Sequence, residues 1–295
     1  MDLRTTIDAA PRSGAASDSW AADFDIVLEP TTGLRAFRFG DLVRFRELLY
    51  FLTWRDIKVR YKQTALGAGW AILQPVLAML LFTVVFGRVA KIGTGGIPYP
   101  LFAYVALVPW LFFANGVQLS ATSLTINPTL ITKVYFPRLY LVMAPIVAGL
   151  VDFALALLVL VGMMVWYGVL PSAAGTALLL PFLLLGMMTT VGASTWLAAL
   201  NVKYRDVRFV VPFLVQILLF ATPVVYSTSS VHAPWQMLFG LNPMTSVVEG
   251  FRWALAGAPA PHASTVAFST VVGVGLFVSG FRYFHRTEKD FADLI

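Results

Sequence analysis

The sequence predicts an all-α integral membrane protein with six transmembrane helices, and three observations support this prediction. The chain is 58% hydrophobic and only 12% charged, with a mean hydropathy of +0.78, whereas roughly a quarter of the residues of a soluble domain are charged. Six long apolar stretches lie between residues 66 and 284, each near the roughly 20 residues that cross a bilayer as a helix. The basic residues lie almost entirely on one side of these stretches.

The predicted spans and their flanking charges fix an orientation. The spans cover residues 66–87, 99–121, 139–166, 174–200, 209–226 and 263–284. Sixteen Lys and Arg residues flank them on one side: eight in 35–62, two in 122–138, three in 201–208 and three in 282–289. Only Arg88, Lys91 and Arg252 lie on the other side. The positive-inside rule therefore places both termini in the cytoplasm. This topology, with contact to anionic lipid, accounts for the basic pI, so no nucleic-acid partner is expected.

The two ends of the chain are expected to be cytoplasmic tails. Residues 1–30 are rich in Ala, Ser and Asp and contain no apolar core of signal-peptide length, which is typical of a disordered segment rather than a cleaved leader. Residues 285–295 form a short tail after the last span.

The segment 31–65 is expected to lie along the cytoplasmic membrane surface as an amphipathic interface segment. Apolar residues form one helical stripe before Thr53 and a second, displaced stripe of Trp54, Ile57 and Tyr61 after it, which predicts a kink or a change of partner near Thr53. The basic residues beside the second stripe suit contact with lipid headgroups, and they are Arg55, Lys58, Arg60 and Lys62. A simple juxtamembrane anchor is the alternative interpretation.

The loop 122–138 carries the signals of a second short helix. Asn127 suits an N-cap, Pro128 suits the first helical position and Pro137 prevents continuation. The helix would present an unusually apolar surface for a cytosolic loop, consisting of Leu130, Ile131, Val134, Tyr135 and Phe136 beside Lys133. Insertion into the groove of a partner protein and packing against the chain's own spans are both open at this point.

The connection between Ser227 and His262 predicts two short helices at the opposite membrane face. The second would begin after Asn242 and end at Gly257. Because such helices are too short to span, a re-entrant hairpin or a cap is predicted. Glu249 and Arg252 are three residues apart and could form an ion pair with a positional role.

The sequence contains no convincing catalytic or metal site. It has no cysteine, which excludes disulfides, thiolate ligands and cysteine nucleophiles. The glycine-containing stretches lack the spacing of a phosphate-binding P-loop, so this chain alone is not expected to hydrolyse ATP. Its three histidines lie outside the spans without a neighbouring acid. A membrane-embedded transferase, which needs acid–base groups near the interface, is therefore not favoured.

Asp152 is the one carboxylate inside a predicted span. It lies roughly 20 Å of helix rise beyond Arg138, which places it close to the bilayer middle, where charge is costly. A proton-coupling site of a secondary transporter is one interpretation, and a carboxyl group that holds helices together is the favoured one. No basic partner in another span is visible in the sequence.

Four stretches together resemble the permeases of ABC transporters that export polysaccharides. They are WRDIKVRYKQTALGAGWAILQ (54–74), residues 127–138, NVKYRDVRFVVPFLVQILLFATP (201–223) and NPMTSVVEGFRW (242–253). The resemblance extends from about residue 30 to the C-terminus. It implies a half-transporter that dimerises and binds two copies of a separate ATPase, which would bind the ATP and magnesium, while this chain itself needs no cofactor.

The resemblance also implies roles for individual segments. Residues 54–62 would belong to an interface or gate helix, and the paired outer helices would close the periplasmic mouth, with Trp235, Asn242, Glu249 and Arg252 as outer-gate candidates. The contacts that couple the permease to the ATPase would come from Asn127, Pro128, Leu130, Ile131, Lys133, Val134, Tyr135, Phe136, Tyr204, Arg205 and Asp206.

Aromatic residues make up 14% of the chain and suggest how a sugar polymer could slide past. Rings stack on the C–H faces of sugars without trapping each repeat. The candidate channel residues are Tyr61, Trp70, Phe82, Phe86, Trp196, Phe220 and Tyr226. For any single ring, a core, lipid-facing or interfacial position is the alternative.

The sequence thus predicts the permease subunit of an ATP-driven exporter of a polyprenyl-diphosphate-linked cell-envelope polysaccharide in the bacterial inner membrane. O-antigen, capsule and teichoic acid are all open as cargo. The alternatives are an ABC exporter of a small molecule or drug and, less favoured, a proton-coupled secondary transporter. Gly67, Gly69 and Pro75 suit a hinge between the interface helix and the first span, with close helix packing as the alternative.

Overall fold

The computed structural model describes residues 46–62, 67, 69–133, 136–171, 173–228 and 238–294. Within these ranges the chain forms only helices and connecting turns, as the sequence predicts. The predicted tail 1–30, the first part of the interface segment, and Val134, Tyr135 and Trp235 lie outside the described residues. In chain order the helices are α1 (Arg46–Lys62), α2 (Gly69–Phe82, continued as a π-helix over Thr83–Val89), α3 (Tyr99–Ile126), α4 (Pro128–Lys133), α5 (Leu139–Tyr167), α6 (Ala173–Lys203), α7 (Val207–Ala221), α8 (Pro243–Ala256), α9 (Ala263–Thr287) and α10 (Phe291–Leu294).

Five of the six predicted spans form helices that are long and apolar enough to cross a membrane. These are α2 with its π-helical extension, α3, α5, α6 and α9. Helix α3 is the centre of the bundle: most of its residues are buried, and it packs against α2, α5, α6 and α8.

The helix predicted over residues 209–226 ends earlier than expected, at Ala221. Helix α7 has 15 residues and rises about 22 Å, which is less than the roughly 30 Å of a hydrocarbon core. It ends because Thr222 precedes Pro223, and a residue before proline is held in the extended region. Thr222 accordingly has φ −93° and ψ 137°.

The second of the two predicted short helices forms as α8. The Asn242 side chain caps it by accepting a hydrogen bond from the Met244 amide at 3.1 Å, and Gly257 ends it with φ +70°. The Asn242 amide also donates to Thr222 Oγ1 at 2.8 Å, so α8 begins beside the end of α7. Nearly all of α8 is buried against α3, α6 and α9.

The bundle has two ends that differ in charge. Helices α4 and α10 and the turn at residues 204–206 lie at what we call the basic end, where α10 contacts α4 and α6. Arg138 there donates from its backbone amide to Glu288 Oε1 at 3.1 Å. The opposite end, called the far end, carries the first turn of α3 and the last turns of α5 and α8.

Glycines allow α6 and α9 to pack very closely. A Cβ added to Gly192 would lie 2.7 Å from the Cα of Phe277, and one added to Gly280 would lie 2.5 Å from the Gly192 carbonyl oxygen. Backbone atoms on both sides leave no space for a methyl group at these positions.

The predicted change of helical face at Thr53 does not interrupt α1, which is one helix from Arg46 to Lys62. Leu52 is its one buried residue among those described. Tyr50, Phe51 and Trp54 are exposed, as expected of a helix that lies against lipid or a partner.

Candidate functional site

The described residues enclose a cavity of about 340 Å³ between α1, α2, α3 and α5. Its walls combine apolar side chains with five polar groups, which is the composition of a site that orients a ligand by a few polar contacts. The polar groups are Arg60, Tyr61, Gln74, Asn115 and Asp152.

Asp152 has a basic partner that the sequence does not reveal. The Arg60 guanidinium donates to Asp152 Oδ2 and the Tyr61 hydroxyl donates to Oδ1. Arg60 and Asp152 are 26% and 21% exposed, so this ion pair is partly desolvated. The three side chains tie the C-terminal end of α1 to the middle of α5.

Asp152 lies near the middle of α5. It is 15 residues before Tyr167, the last residue of α5, and thus about 22 Å below the far end. It is 13 residues after Leu139, the first residue of α5, and thus about 20 Å from the basic end of this helix. Its position close to the bilayer middle stays a prediction.

A glycine turn builds the corner between α1 and α2 at the cavity. Gly67 has φ +51°, a conformation that favours glycine, and its carbonyl accepts from the Trp70 amide at 3.3 Å. The Trp70 ring lines the cavity and is 49% exposed. The corner therefore presents an aromatic ring beside the Arg60–Asp152 pair.

The other predicted channel residues do not share this cavity. Phe82 and Phe86 pack edge to face, with ring centroids 5.8 Å apart. Trp196 stacks on Tyr283 at 4.3 Å and donates from Nε1 to Ser279 at 3.0 Å, between α6 and α9.

Phe220 and Tyr226 are associated with the end of α7. Phe220 is exposed, and the Tyr226 hydroxyl donates to its carbonyl at 3.0 Å. Within one copy of the chain, Tyr61 and Trp70 are the predicted channel residues that line the cavity, and the wider set stays a prediction.

At the basic end, the predicted short helix forms as α4. Asn127 precedes it, accepting from Arg55 Nη1 at 3.2 Å and donating to the Ser123 carbonyl at 2.7 Å. Ile131 and Phe136 are buried against the same chain, so part of the predicted apolar surface packs on the chain's own helices.

The remaining predicted coupling positions differ in exposure. Pro128 and Lys133 are exposed and Leu130 is half-buried. Tyr204, Arg205 and Asp206 form an exposed turn between α6 and α7.

The remaining interface-helix candidates lie along α1. Lys58 Nζ lies 5.4 Å from the centroid of the Trp54 ring, Arg55 pairs with Asp56 at 3.0 Å, and Lys62 is exposed. Apart from the hydrogen bond from Arg55 to Asn127, these contacts are local to α1.

At the far end, Arg252 holds the non-helical segment that follows α7. Its guanidinium donates to the carbonyl oxygens of Pro223 at 2.5 Å, Val224 and Tyr226 at 3.0 Å. It also donates to the Phe102 carbonyl at 3.2 Å and lies 3.6 Å from the centroid of the Phe102 ring. Arg252 is 2% exposed.

The possible Glu249–Arg252 ion pair does not form. Glu249 instead accepts hydrogen bonds from the Thr228 amide, at 3.2 Å, and from its hydroxyl. Spacing along α8 brings the two side chains near each other, but the unpaired carbonyls after α7 bind the guanidinium. No helical pattern predicts such partners, although a lone arginine in an apolar segment is a signal that carbonyls or an acid must lie nearby.

Comparisons with known proteins identify relatives over nearly the whole chain. The family model for ABC-2 type transporters matches residues 47–256. A Myxococcus xanthus protein named O-antigen export system permease protein RfbA is 31% identical over 259 residues, which cover 86% of this chain and 98% of the relative. A Klebsiella pneumoniae protein of the same name is 26% identical over 250 residues, covering 84% and 95% of the two chains.

Proposed function

This chain belongs to the ABC-2 type transporter family, and we propose that it is the permease subunit of an exporter that moves an O-antigen-like polysaccharide across the bacterial inner membrane. The observation that carries this proposal is the 31% identity over 98% of an O-antigen export permease. A small-molecule exporter of the same family would be expected to share the helices but not this level of sequence identity along the full length of an O-antigen export permease.

The cavity supports a path for a lipid-linked sugar chain. Tyr61 and Trp70 offer aromatic faces on which sugars stack, and Gln74 and Asn115 offer donors and acceptors. Arg60 lines the same cavity, and its guanidinium would bind the diphosphate group that joins the sugar chain to the polyprenyl chain. The substrate class is therefore a polyprenyl-diphosphate-linked polysaccharide.

Two copies of this chain are proposed to form the complete path. The volume of about 340 Å³ in one copy matches a small ligand rather than a polymer. Trp70 on one side and Phe220 at α7 are both exposed in the single chain. Facing copies would enclose a wider conduit lined by such rings.

The basic end is proposed to face the cytoplasm, following the asymmetry of Lys and Arg. It would bind two copies of a separate ATPase that holds ATP and magnesium, with α4 and the turn at 204–206 as contact points. This division leaves the present chain to bind and conduct the substrate, and the partner to hydrolyse the nucleotide.

A depletion experiment in the bacterial host tests the proposal. When this protein is depleted, a long-chain polyprenyl-linked glycan is expected to accumulate on the cytoplasmic side while the surface polymer is lost. Restoring the chain together with an ATPase subunit unable to hydrolyse ATP should leave the block in place. Unchanged glycan on both sides would refute polysaccharide export and favour a small-molecule exporter, whereas export that follows the proton gradient and ignores the ATPase would favour a secondary transporter.

A further inference from the structure

A second cavity, of about 210 Å³, lies at the basic end of the bundle. It is formed where the ends of α3 and α6, the first turn of α7 and the C-terminal helix α10 meet. We call it the basic pocket, and its lining residues are Thr125, Asn201, Val202, Arg205, Arg208 and Leu294.

Two arginines give the basic pocket its charge. Arg205 and Arg208 are both exposed, and no carboxylate of the described residues lies within 4.0 Å of either guanidinium. Asp206 lies between them in the sequence without pairing with either. Arg208 lies 4.6 Å from the centroid of the Phe209 ring, which positions its stem but does not neutralise its charge. Among the described residues, two guanidinium groups therefore line the pocket without a carboxylate partner.

Asn201 adds a buried acceptor that has no donor. The residue is 1% exposed, and its amide nitrogen donates to the Ala121 carbonyl at 2.9 Å and to Thr125 Oγ1 at 3.2 Å. Because a carbonyl oxygen can only accept, this assigns the amide orientation, and Asn201 Oδ1 is left buried without a partner. Burial of an acceptor without a donor is unfavourable, so a ligand, or an arginine drawn inward by that ligand, would stabilise this site.

The depth of the basic pocket favours a protein ligand over a lipid. Asn201 follows Ala173, the first residue of α6, by 28 residues, which corresponds to about 42 Å of helix rise. A bilayer including its headgroups is about 40–45 Å thick. With the far end of α6 at the boundary of the hydrocarbon core, the pocket lies beyond the headgroups on the basic side, where a cytoplasmic protein can reach it.

The basic pocket is continuous with the surface that carries α4. Leu294 of α10 lines the pocket, and α10 packs against both α4 and α6. A protein that binds at α4 would therefore lie beside the basic pocket.

We propose that the basic pocket binds an acidic side chain, an aspartate or a glutamate, of the ATPase subunit. The carboxylate would accept hydrogen bonds from Arg205 and Arg208, and a guanidinium turned inward by that contact would donate to Asn201 Oδ1. This inference rests on the proposed function, and it adds a charged contact beside the apolar one at α4. Arginine suits this role because its planar guanidinium can bind a carboxylate through two hydrogen bonds.

The test is capture of the ATPase subunit by the permease after co-expression. Arg205→Glu combined with Arg208→Glu should lower the amount of ATPase retained per permease by at least about tenfold, with a normal amount of permease in the membrane. The matched control is Arg282→Glu combined with Arg286→Glu, which reverses two exposed charges near the end of α9 and should retain the ATPase. Selection for restored export should then yield Asp→Lys or Glu→Lys changes in the ATPase.

The outcomes separate this proposal from the proposed function. If the wild-type permease captures no ATPase, the proposed function fails. If the wild type captures it and the double reversal captures it equally well, the basic pocket is not its docking site. If capture is unchanged but phosphatidylglycerol retained on the purified protein is lost, the pocket binds lipid and the proposal is overturned. Should the double reversal lower the amount of permease, Arg205→Gln with Arg208→Gln replaces it, and the expected result is weaker capture with less dependence on salt.

Discussion

Replacing Arg252 with methionine should destabilise the far end of the bundle. Methionine fills much of the same space without a charge or a hydrogen-bond donor. The carbonyl groups of Phe102, Pro223, Val224 and Tyr226 would then lose the guanidinium that binds them. The segment after α7 has no helical hydrogen bonds to replace these contacts.

The size of the effect follows from the number of contacts and their burial. Hydrogen bonds to a charged group contribute about 1.5–3 kcal/mol each, so four of them represent about 6–12 kcal/mol. Methionine avoids the several kcal/mol that burial of the cation costs, and removing one partner of a buried charged contact typically costs about 3–5 kcal/mol in total. At about 2–3 °C per kcal/mol, the midpoint of thermal unfolding should fall by roughly 6–15 °C.

The assay is thermal unfolding of the detergent-purified protein, followed by size-exclusion chromatography of the fraction that remains folded. Arg88→Met is the control, because Arg88 carries the same charge at the far end but is exposed. Arg252→Lys should fall between the two, since one ammonium group cannot reach the carbonyls of both α3 and the segment after α7. Equal midpoints for Arg252→Met and Arg88→Met would refute the structural role assigned to Arg252.

Two further predictions concern helix packing and the cavity. Gly192→Ala should lower the free energy of unfolding by about 1–3 kcal/mol, because the new methyl group would lie 2.7 Å from the backbone of Phe277. Gly162→Ala is the control, since its methyl group would have no atom within 4 Å. The midpoint of thermal unfolding should be lower for Gly192→Ala than for Gly162→Ala, and equal midpoints would contradict the close packing. Asp152→Asn should reduce export several-fold because it leaves Arg60 without its carboxylate. Adding Arg60→Gln to this variant should restore part of the lost export. If the loss of export in the double variant equals the sum of the losses in the two single variants, the pair does not act as a unit.

The elements that the sequence predicted well are those specified by neighbouring residues. Asn127 and Pro128 mark the start of α4 at the correct position, and Asn242 and Gly257 bound α8. Hydropathy located five of the spans because each is a continuous apolar stretch. Such signals depend only on a residue and its immediate neighbours, so they can be recognised in the sequence without knowledge of the fold.

The contacts that define the candidate sites join residues far apart in the chain. Arg60 and Asp152 are separated by 92 positions, and Arg252 and Phe102 by 150. In neither pair does the local sequence around one residue identify the residue that it contacts. Hydropathy also continues past Ala221, so it does not reveal the extended conformation of Thr222 before Pro223 that ends α7.

The close packing of α3 against α5 gives this pair of helices the properties of a lever arm. Arg252 binds the first turn of α3 at the far end, and α4 joins the two helices at the other end. If the pair pivots at the far end, Asp152 lies about 22 Å from the pivot and the start of α5 about 42 Å from it. A sideways displacement of about 4 Å at α4 would then move Asp152 by about 2 Å, well beyond the roughly 0.5 Å range of hydrogen-bond lengths. Any such displacement must either separate Asp152 from Arg60 or carry α1 along with α5.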